Sequence, residues 1–365
     1  MKLPGPLQQT DRTFVLWRGQ KLSYFAGCDY YRLASHPEVL RAAETALRKY
    51  GLNVAASRST TGNHLLHEKL EAVLANFFDA ESATLASNGY LPNLLVAQAL
   101  KGGFSHVLID EHAHASLVDA AQLFDCPVLA FRHRDAGHLA EILSRLGRVS
   151  PVLLTDGMFS HDGSIAPLKD YLAALTRNAV ILLDDAHGAG VLGAEGRGAI
   201  EQCGVSRRQI IQTITLSKAF GVYGGAVIAP KKLRGQILEK SRIFTGNTPL
   251  PLPLASAAIT SVSILRSKPA LRIRLRRNVA FVKEALADCG IKSGLAESPI
   301  FAIEPRNTVY AKKLCDRLLK SGIHPPFIKY PGGPKNGFFR FAISSEHTAQ
   351  QLEKLVAAIR SDRRD

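Results

Sequence analysis

Acidic residues are scarce in this chain. Its 365 residues hold 31 aspartates and glutamates against 46 lysines and arginines, a formal net charge of +15. Such an excess favours anionic partners without choosing among nucleic acid, phosphorylated cofactors, coenzyme A or an acidic carrier protein. Aromatic residues are also few, at 7% with one tryptophan. The densest basic run, 266–277, contains neither an acid nor an aromatic side chain, so it offers no platform for stacked bases and nucleic acid is not an expected partner. That run reads as a solvated helix face or as a surface for a phosphorylated partner. The five cysteines are scattered with no CxxC spacing, which excludes a cysteine-based zinc site and a disulfide framework; no metal site is expected. No apolar stretch approaches the roughly 18 residues of a membrane span. The first dozen residues turn polar too early for a signal peptide, so a cytoplasmic location is expected.

What the chain does have is an alternation of short apolar runs and amphipathic segments, with no internal repeat. Strands are expected at 83–87, 106–110, 128–131, 152–155, 180–184, 212–216 and 225–229, with helices at 64–78, 90–100, 115–123 and 168–177. This order predicts an α/β fold with a large, mostly parallel sheet covered on both faces. Three prolines at 249, 251 and 253 interrupt the pattern. A long helical stretch, 254–289, then leads to a smaller α+β end with strands at 298–304 and 338–344 and helices at 308–321 and 348–361. The expected division is an N-terminal arm (1–40, with short strands at 13–17 and 21–25), a large α/β domain (41–265) and a C-terminal α+β domain (266–365).

Four segments carry chemistry. Residues 180–193, VILLDDAHGAGVLG, contain a formal GxGxxG. A dinucleotide site needs its first glycine directly after the strand, and here two acids and a histidine intervene, so a ligand-free turn is the better reading of the glycines. Asp184, at the end of a buried strand, either caps the turn or faces a ligand crevice, where it would hold a pyridine nitrogen protonated. In 213–225, TITLSKAFGVYGG, Lys218 follows a strand directly. Its amine is either a surface charge or a Schiff-base former flanked by the small hydroxyls of Thr215 and Ser217, which suit a phosphate. In 86–93, ASNGYLPN, Asn88, Gly89 and Tyr90 stand at a strand-to-helix junction that suits an anion or an ordinary N-cap. In 110–119, DEHAHASLVD, His114 opens a helix beyond a strand, where its ring is either a surface group or a stacking partner for a planar cofactor.

Taken together, SNGY, HASL, DDAHG and TLSKAFG resemble the α-oxoamine synthases, pyridoxal-phosphate enzymes of fold type I. SRSTTGNHLLHEKLE (57–71), MFSHDGSIAPL (158–168), GRG (196–198), IFTGNTPLP (243–251) and RFAISSEHT (340–348) agree, and the likeness runs from about Trp17 to the end. The resemblance implies pyridoxal 5'-phosphate as cofactor and gives each position a role. Lys218 would carry the cofactor covalently, Asp184 would pair with the pyridine nitrogen, His187 would contact the ring oxygen with Ser160 near it, and His114 would stack on the ring. Gly89 and Tyr90 in the Asn88 turn, with Thr215, would hold the phosphate. Thr245 would reach the phosphate of the neighbouring subunit, implying a homodimer with shared active sites. Arg340 would bind the substrate carboxylate through two parallel hydrogen bonds. The implied reaction is a decarboxylative condensation of a small amino acid with an acyl thioester, acyl-CoA or acyl carrier protein, giving an α-amino ketone. The alternatives on the same fold are an aminotransferase, a decarboxylase or a non-catalytic partner subunit.

The departures from the family pattern lie on the substrate side. Cys28 replaces an asparagine and Arg32 a glycine. Ala55 and Ala56 replace two glycines, which is expected to exclude a positive φ there. His161 replaces a methionine, Asp156 stands where glutamate is common, and Leu250 replaces a proline.

Overall fold

The computed structural model of the chain describes residues 5–291, 294, 297–329 and 334–360. The first four residues of the expected arm and the expected helix end at 361 lie outside these. The described chain divides into two units, one of residues 33–159 and 165–269, the other of residues 5–32, 160–164 and those from 270 onward.

The second of these begins with an antiparallel meander of β1 (Gln8–Asp11), β2 (Phe14–Trp17) and β3 (Gln20–Ser23). The first is built on β4 (Ser82–Ala86), β5 (His106–Asp110), β6 (Val128–Phe131), β7 (Pro151–Asp156), β8 (Val180–Asp184), β9 (Ile210–Thr215) and β10 (Gly225–Ala229). These form one sheet in the order β4-β10-β9-β8-β7-β5-β6. Pairing is parallel from β6 to β9, and β10 runs antiparallel to both its neighbours. The large mixed, mostly parallel sheet expected from the alternation is therefore present. Every residue of β4, β7, β9 and β10 is buried, as a sheet covered on both faces requires. Side chains such as Leu108, Leu153 and Leu182 are fully buried, each contributing about 1.5–3 kcal/mol by leaving water.

Helices cover this sheet, among them Leu65–Phe77, Leu91–Ala99, Ala115–Leu123 and Leu168–Ala174. Two more, Pro37–Tyr50 and Ala136–Leu146, open on side-chain caps: His36 Nδ1 accepts from Glu38 N, and Asp135 accepts from His138 N. The unit that ends the chain adds β11 (Ile300–Ile303), β12 (Phe327–Ile328) and β13 (Phe338–Ala342), with β13 central and antiparallel to both. Helices Thr308–Lys320 and Ala349–Arg360 belong to the same unit.

Three expectations need correction. The helical stretch 254–289 is two helices, Leu252–Ser267 and Ala270–Ala287. Pro269 lacks an N–H, and its ring pushes Lys268 out of helical geometry; Lys268 sits at φ −118°, ψ 70°. Ala55 does adopt a positive φ, 50°, and its N–H is held at 2.6 Å by Asn53 Oδ1; Arg32 shares the same left-handed backbone at φ 54°. The basic run is not simply a solvated face. Arg272 is buried, and Arg274 is held by Glu346 and by the Ser345 carbonyl at 2.9 Å.

All five cysteines are free thiols. Among the described residues, no helix is long and apolar enough to cross a membrane, and no cluster of three or more histidine, cysteine, aspartate or glutamate side chains could hold a metal.

Candidate active site

The larger unit gathers most of the predicted residues at the carboxyl ends of its parallel strands, the edge where such sheets bind ligands. Asp184 closes β8 and is 4% exposed. Burial without compensation would neutralise a carboxylate, but here three donors converge on it. Asn93 Nδ2 lies 2.7 Å and Ser116 Oγ 3.3 Å from Oδ2, while the Ala186 N–H lies 3.1 Å from Oδ1. A carboxylate oxygen accepts two hydrogen bonds, so Oδ1 has capacity for one more donor. Asn93 is fixed in turn by the Thr213 hydroxyl, which donates to its Oδ1 at 2.6 Å.

Neither Asn93 nor Ser116 was marked by the sequence reading. The available signal was an asparagine inside a helix, Leu91–Ala99, where its own backbone preferences disfavour it. Ser116 also ties Asp184 to His114. Its hydroxyl lies 2.8 Å from His114 Nδ1, and its backbone N–H donates to that same nitrogen at 3.2 Å. His114 thus caps its helix through Nδ1. Its ring meets Tyr90 edge-on, 6.0 Å between centroids.

The turn after β4 is closed by Asn88, whose Oδ1 accepts from the N–H groups of Tyr90 at 2.9 Å and Leu91 at 3.2 Å. Among the described residues the Gly89 N–H meets no acceptor, which leaves it for an anion. Gly89 is pressed against Thr215 so closely that a Cβ there would come within 2.4 Å of Thr215 Oγ1. Only glycine lets this N–H and this hydroxyl lie side by side. The Tyr90 hydroxyl donates to Asp119, and that bond pushes the phenol up to about 12.

Lys218 is half-buried and directly follows Ser217, whose N–H bonds to Thr215 Oγ1 at 3.2 Å. The loop that carries it folds back through Leu216, whose N–H donates to Gly224 O at 2.9 Å. The formal GxGxxG has a packing use here: Gly190, at φ 82°, would drive a Cβ to 2.7 Å from Ala219 Cβ. His187 is buried at 5% exposure.

Asp185, beside Asp184, is fully buried. Its Oδ2 accepts from Ala199 N at 2.9 Å and Gln212 Nε2 at 2.6 Å, while its Oδ1 finds no hydrogen-bond donor. Burial pushes this carboxyl up to about 7. The folded chain then binds the proton more tightly than the unfolded chain, whose aspartate titrates near pH 4. Its stability contribution is complete below about pH 4 and is lost as pH rises to about 7, on the order of 4 kcal/mol in all. Asp185→Asn, neutral at every pH, should remove this slope. Urea unfolding at pH 4 and pH 8 should show the variant gaining on the parent as pH rises, and parallel profiles would refute the assignment.

The remaining predicted residues sit elsewhere. Thr245 is exposed on the short helix Arg242–Gly246, with its carbonyl accepting from Ser57 Oγ at 2.6 Å. Two residues on, Asn247 Nδ2 donates to Ser87 Oγ at 2.7 Å, next to the Asn88 turn. The motif at 57–71 is a structural anchor, because Arg58 forms a two-pronged pair with buried Glu71 at 2.5 and 3.2 Å. Ser160 and Arg340 belong to the other unit, where Arg340 Nε donates to the Ser160 carbonyl and Nη2 lies 3.3 Å from Cys28 Sγ. Cys28 therefore accepts from Arg340 at a position where the family pattern has an asparagine. His161 Nε2 lies 3.4 Å from Glu304 Oε1, and its ring packs 4.2 Å from that of Phe338.

Comparison with known proteins identifies the family. Residues 25–359 match the model of the aminotransferase class I and II family. An 8-amino-7-oxononanoate synthase of Thioalkalivibrio sulfidiphilus is 36% identical over 93% of this chain and 88% of its own length. The serine palmitoyltransferase of Sphingomonas wittichii superposes with a TM-score of 0.91 at 28% identity, over 98% of this chain and 91% of that one. A variant serine palmitoyltransferase from S. paucimobilis, solved with a bound pyridoxal-phosphate–myriocin adduct, superposes with a TM-score of 0.90 at 27% identity over the same shares. The chain belongs to the aminotransferase class I and II family and, within it, to the α-oxoamine synthases.

Proposed function

We propose that the chain is a pyridoxal-phosphate-dependent acyltransferase of the 8-amino-7-oxononanoate synthase type, joining a small amino acid to an acyl thioester with loss of carbon dioxide. The observation that carries this is Asp184, a buried aspartate at a strand end whose carboxyl group meets Asn93, Ser116 and the Ala186 N–H and has one acceptor position to spare. The residues fit the cofactor. Asp184 would hold its ring nitrogen protonated, and His187 would bond its ring oxygen, with Ser160 near it. His114 would cover one face. The Gly89 N–H and the Thr215 hydroxyl would hold its phosphate in the turn that Asn88 and Tyr90 shape. Bound there, pyridoxal phosphate supplies an electron-poor ring that stabilises negative charge at the α-carbon of the amino acid.

The chain's own groups do the rest. Lys218 anchors the cofactor, gives way to the amino acid, and then takes up the α-proton at Nζ. Arg340 binds the carboxylate. After the carbon–carbon bond forms, the thiol leaves and carbon dioxide departs from the α-carbon, Lys218 would return a proton to that carbon. Thr245 of one protomer serves the phosphate held by its partner, so the working unit is a homodimer. The +15 charge draws in the anionic acyl donor, coenzyme A or an acidic carrier protein.

The test is a paired assay on the purified protein loaded with pyridoxal phosphate. Glycine, alanine and serine are each supplied with acyl-CoA thioesters, and free thiol and carbon dioxide are measured. One amino acid should release both in equal amounts. Amino-group transfer to a keto acid without thiol release would replace condensation by transamination.

A further inference from the structure

The chemistry above makes no use of Asp156, a buried carboxyl group beside Asp184. Asp156 closes β7, is 4% exposed, and is the register partner of Asp184 on β8. Paired residues on neighbouring parallel strands leave the sheet on the same face, about 5 Å apart. The two carboxyl groups therefore share one patch of strand ends. Two carboxylates so placed and shielded from water do not both ionise.

Hydrogen-bond donors decide which of the two is charged. Asp184 receives three, as described above. Asp156 receives one among the described residues, the His114 backbone N–H at 2.9 Å. Of the other charged groups facing Asp156, Asp110 at the end of β5 opposes its ionisation and Lys218 favours it. Burial and the Asp184 charge outweigh Lys218 and His114, and hold the Asp156 proton far more tightly than an ordinary carboxyl would.

We propose that Asp156 is a proton-bearing positioning residue that fixes the backbone of His114 and leaves Asp184 the one anion of the pair. This rests on the reading of Asp184 as partner of the ring nitrogen and gives that reading a condition. A second negative charge at this edge would tighten the hold on the Lys218 ammonium, which has to release a proton before it can act as a base. With Asp156 neutral, the ring nitrogen and Lys218 divide the field of a single carboxylate.

The experiment is a pH titration by carboxyl-carbon NMR of the full-length protein labelled at its aspartates, before and after loading with pyridoxal phosphate. Asp156→Asn and Asp185→Asn assign the two high-titrating resonances. Asparagine keeps the acceptor for His114 and the neutral charge, so the first variant should fold. Expected is an Asp156 resonance still protonated at pH 7 that titrates at least one pH unit lower, a tenfold weaker proton affinity, in Asp184→Asn. Should Asp156→Asn not fold, the high-titrating resonance that survives in Asp185→Asn is that of Asp156, and its shift in Asp184→Asn reads the same coupling. An Asp156 midpoint near pH 4, or one that Asp184→Asn leaves unmoved, overturns the proposal. Loading with cofactor should also lower the midpoint, because a protonated ring nitrogen offsets the Asp184 charge. A high, Asp184-dependent midpoint that ignores the bound cofactor would uphold the inference about Asp156 and remove the assignment of Asp184 to the ring nitrogen.

Discussion

Replacing Lys218 with alanine should lower turnover by at least about ten-thousand-fold, because in the proposed reaction one amine supplies both the anchor and the acid–base group. The protein should still fold. Lys218 is only half-buried, and the bends of its loop are held by backbone bonds such as Gly221 N–H to Lys218 O at 3.0 Å, which alanine keeps. Pyridoxal phosphate should still bind, through the Gly89 turn, Thr215 and Asp184, but without a covalent link. The decisive readout is intact-protein mass after borohydride treatment. The parent should gain one cofactor mass and the variant none. A reduced adduct that persists in the variant would place the anchor at another lysine.

Asp184→Asn is expected to cost about a hundred- to a thousand-fold in turnover, the usual range for removing one preorganised electrostatic partner. The amide is nearly isosteric and can still accept from the Ala186 N–H. Its NH₂ group, however, would meet the donors Asn93 and Ser116 head-on if it faced them, or the bound ring nitrogen if it turned outward. In either case no negative charge remains to hold a proton on the ring. The signature is therefore a fall in kcat that exceeds any loss of cofactor affinity, with the visible band of the bound cofactor shifted. Near-normal turnover would mean that Asp184 serves the turn and not the ring.

Much of this site was legible in the chain because its pieces are local. An acid at the end of VILLD, a lysine at the end of TITLS and a glycine turn after SATLA each sit where a strand stops, and a run of buried β-branched and leucine residues marks a strand. What escaped notice depends on residues far apart in sequence. Asn93 looks like a poor helix residue until Asp184, 91 positions later, comes within 2.7 Å of it. Asp156 and Asp184 become neighbours only through the pairing of β7 with β8. The bond between Arg340 and the Ser160 carbonyl spans 180 residues, and no local pattern announces it. Ala55 shows the opposite failure. A general rule about residue type argued against a backbone angle that Ala55 adopts while its N–H donates to Asn53 Oδ1.

The strand order also sets a timetable. β4 is the first strand of its sheet to leave the ribosome, yet its partner in that sheet is β10, and the Ser82 hydroxyl reaches its acceptor, Ala229 O, across 147 residues. At about 5–20 residues per second, β4 waits roughly 7 to 30 s for its partner to be made. Closing so long a loop is entropically costly and slow. During that wait an apolar strand edge is open to other chains. The Gly89 turn, which needs Thr215 from the far side of that gap, is completed only when about three-fifths of this sequence exists. That turn is therefore among the later features of the sheet to form, although its own residues are among the first made.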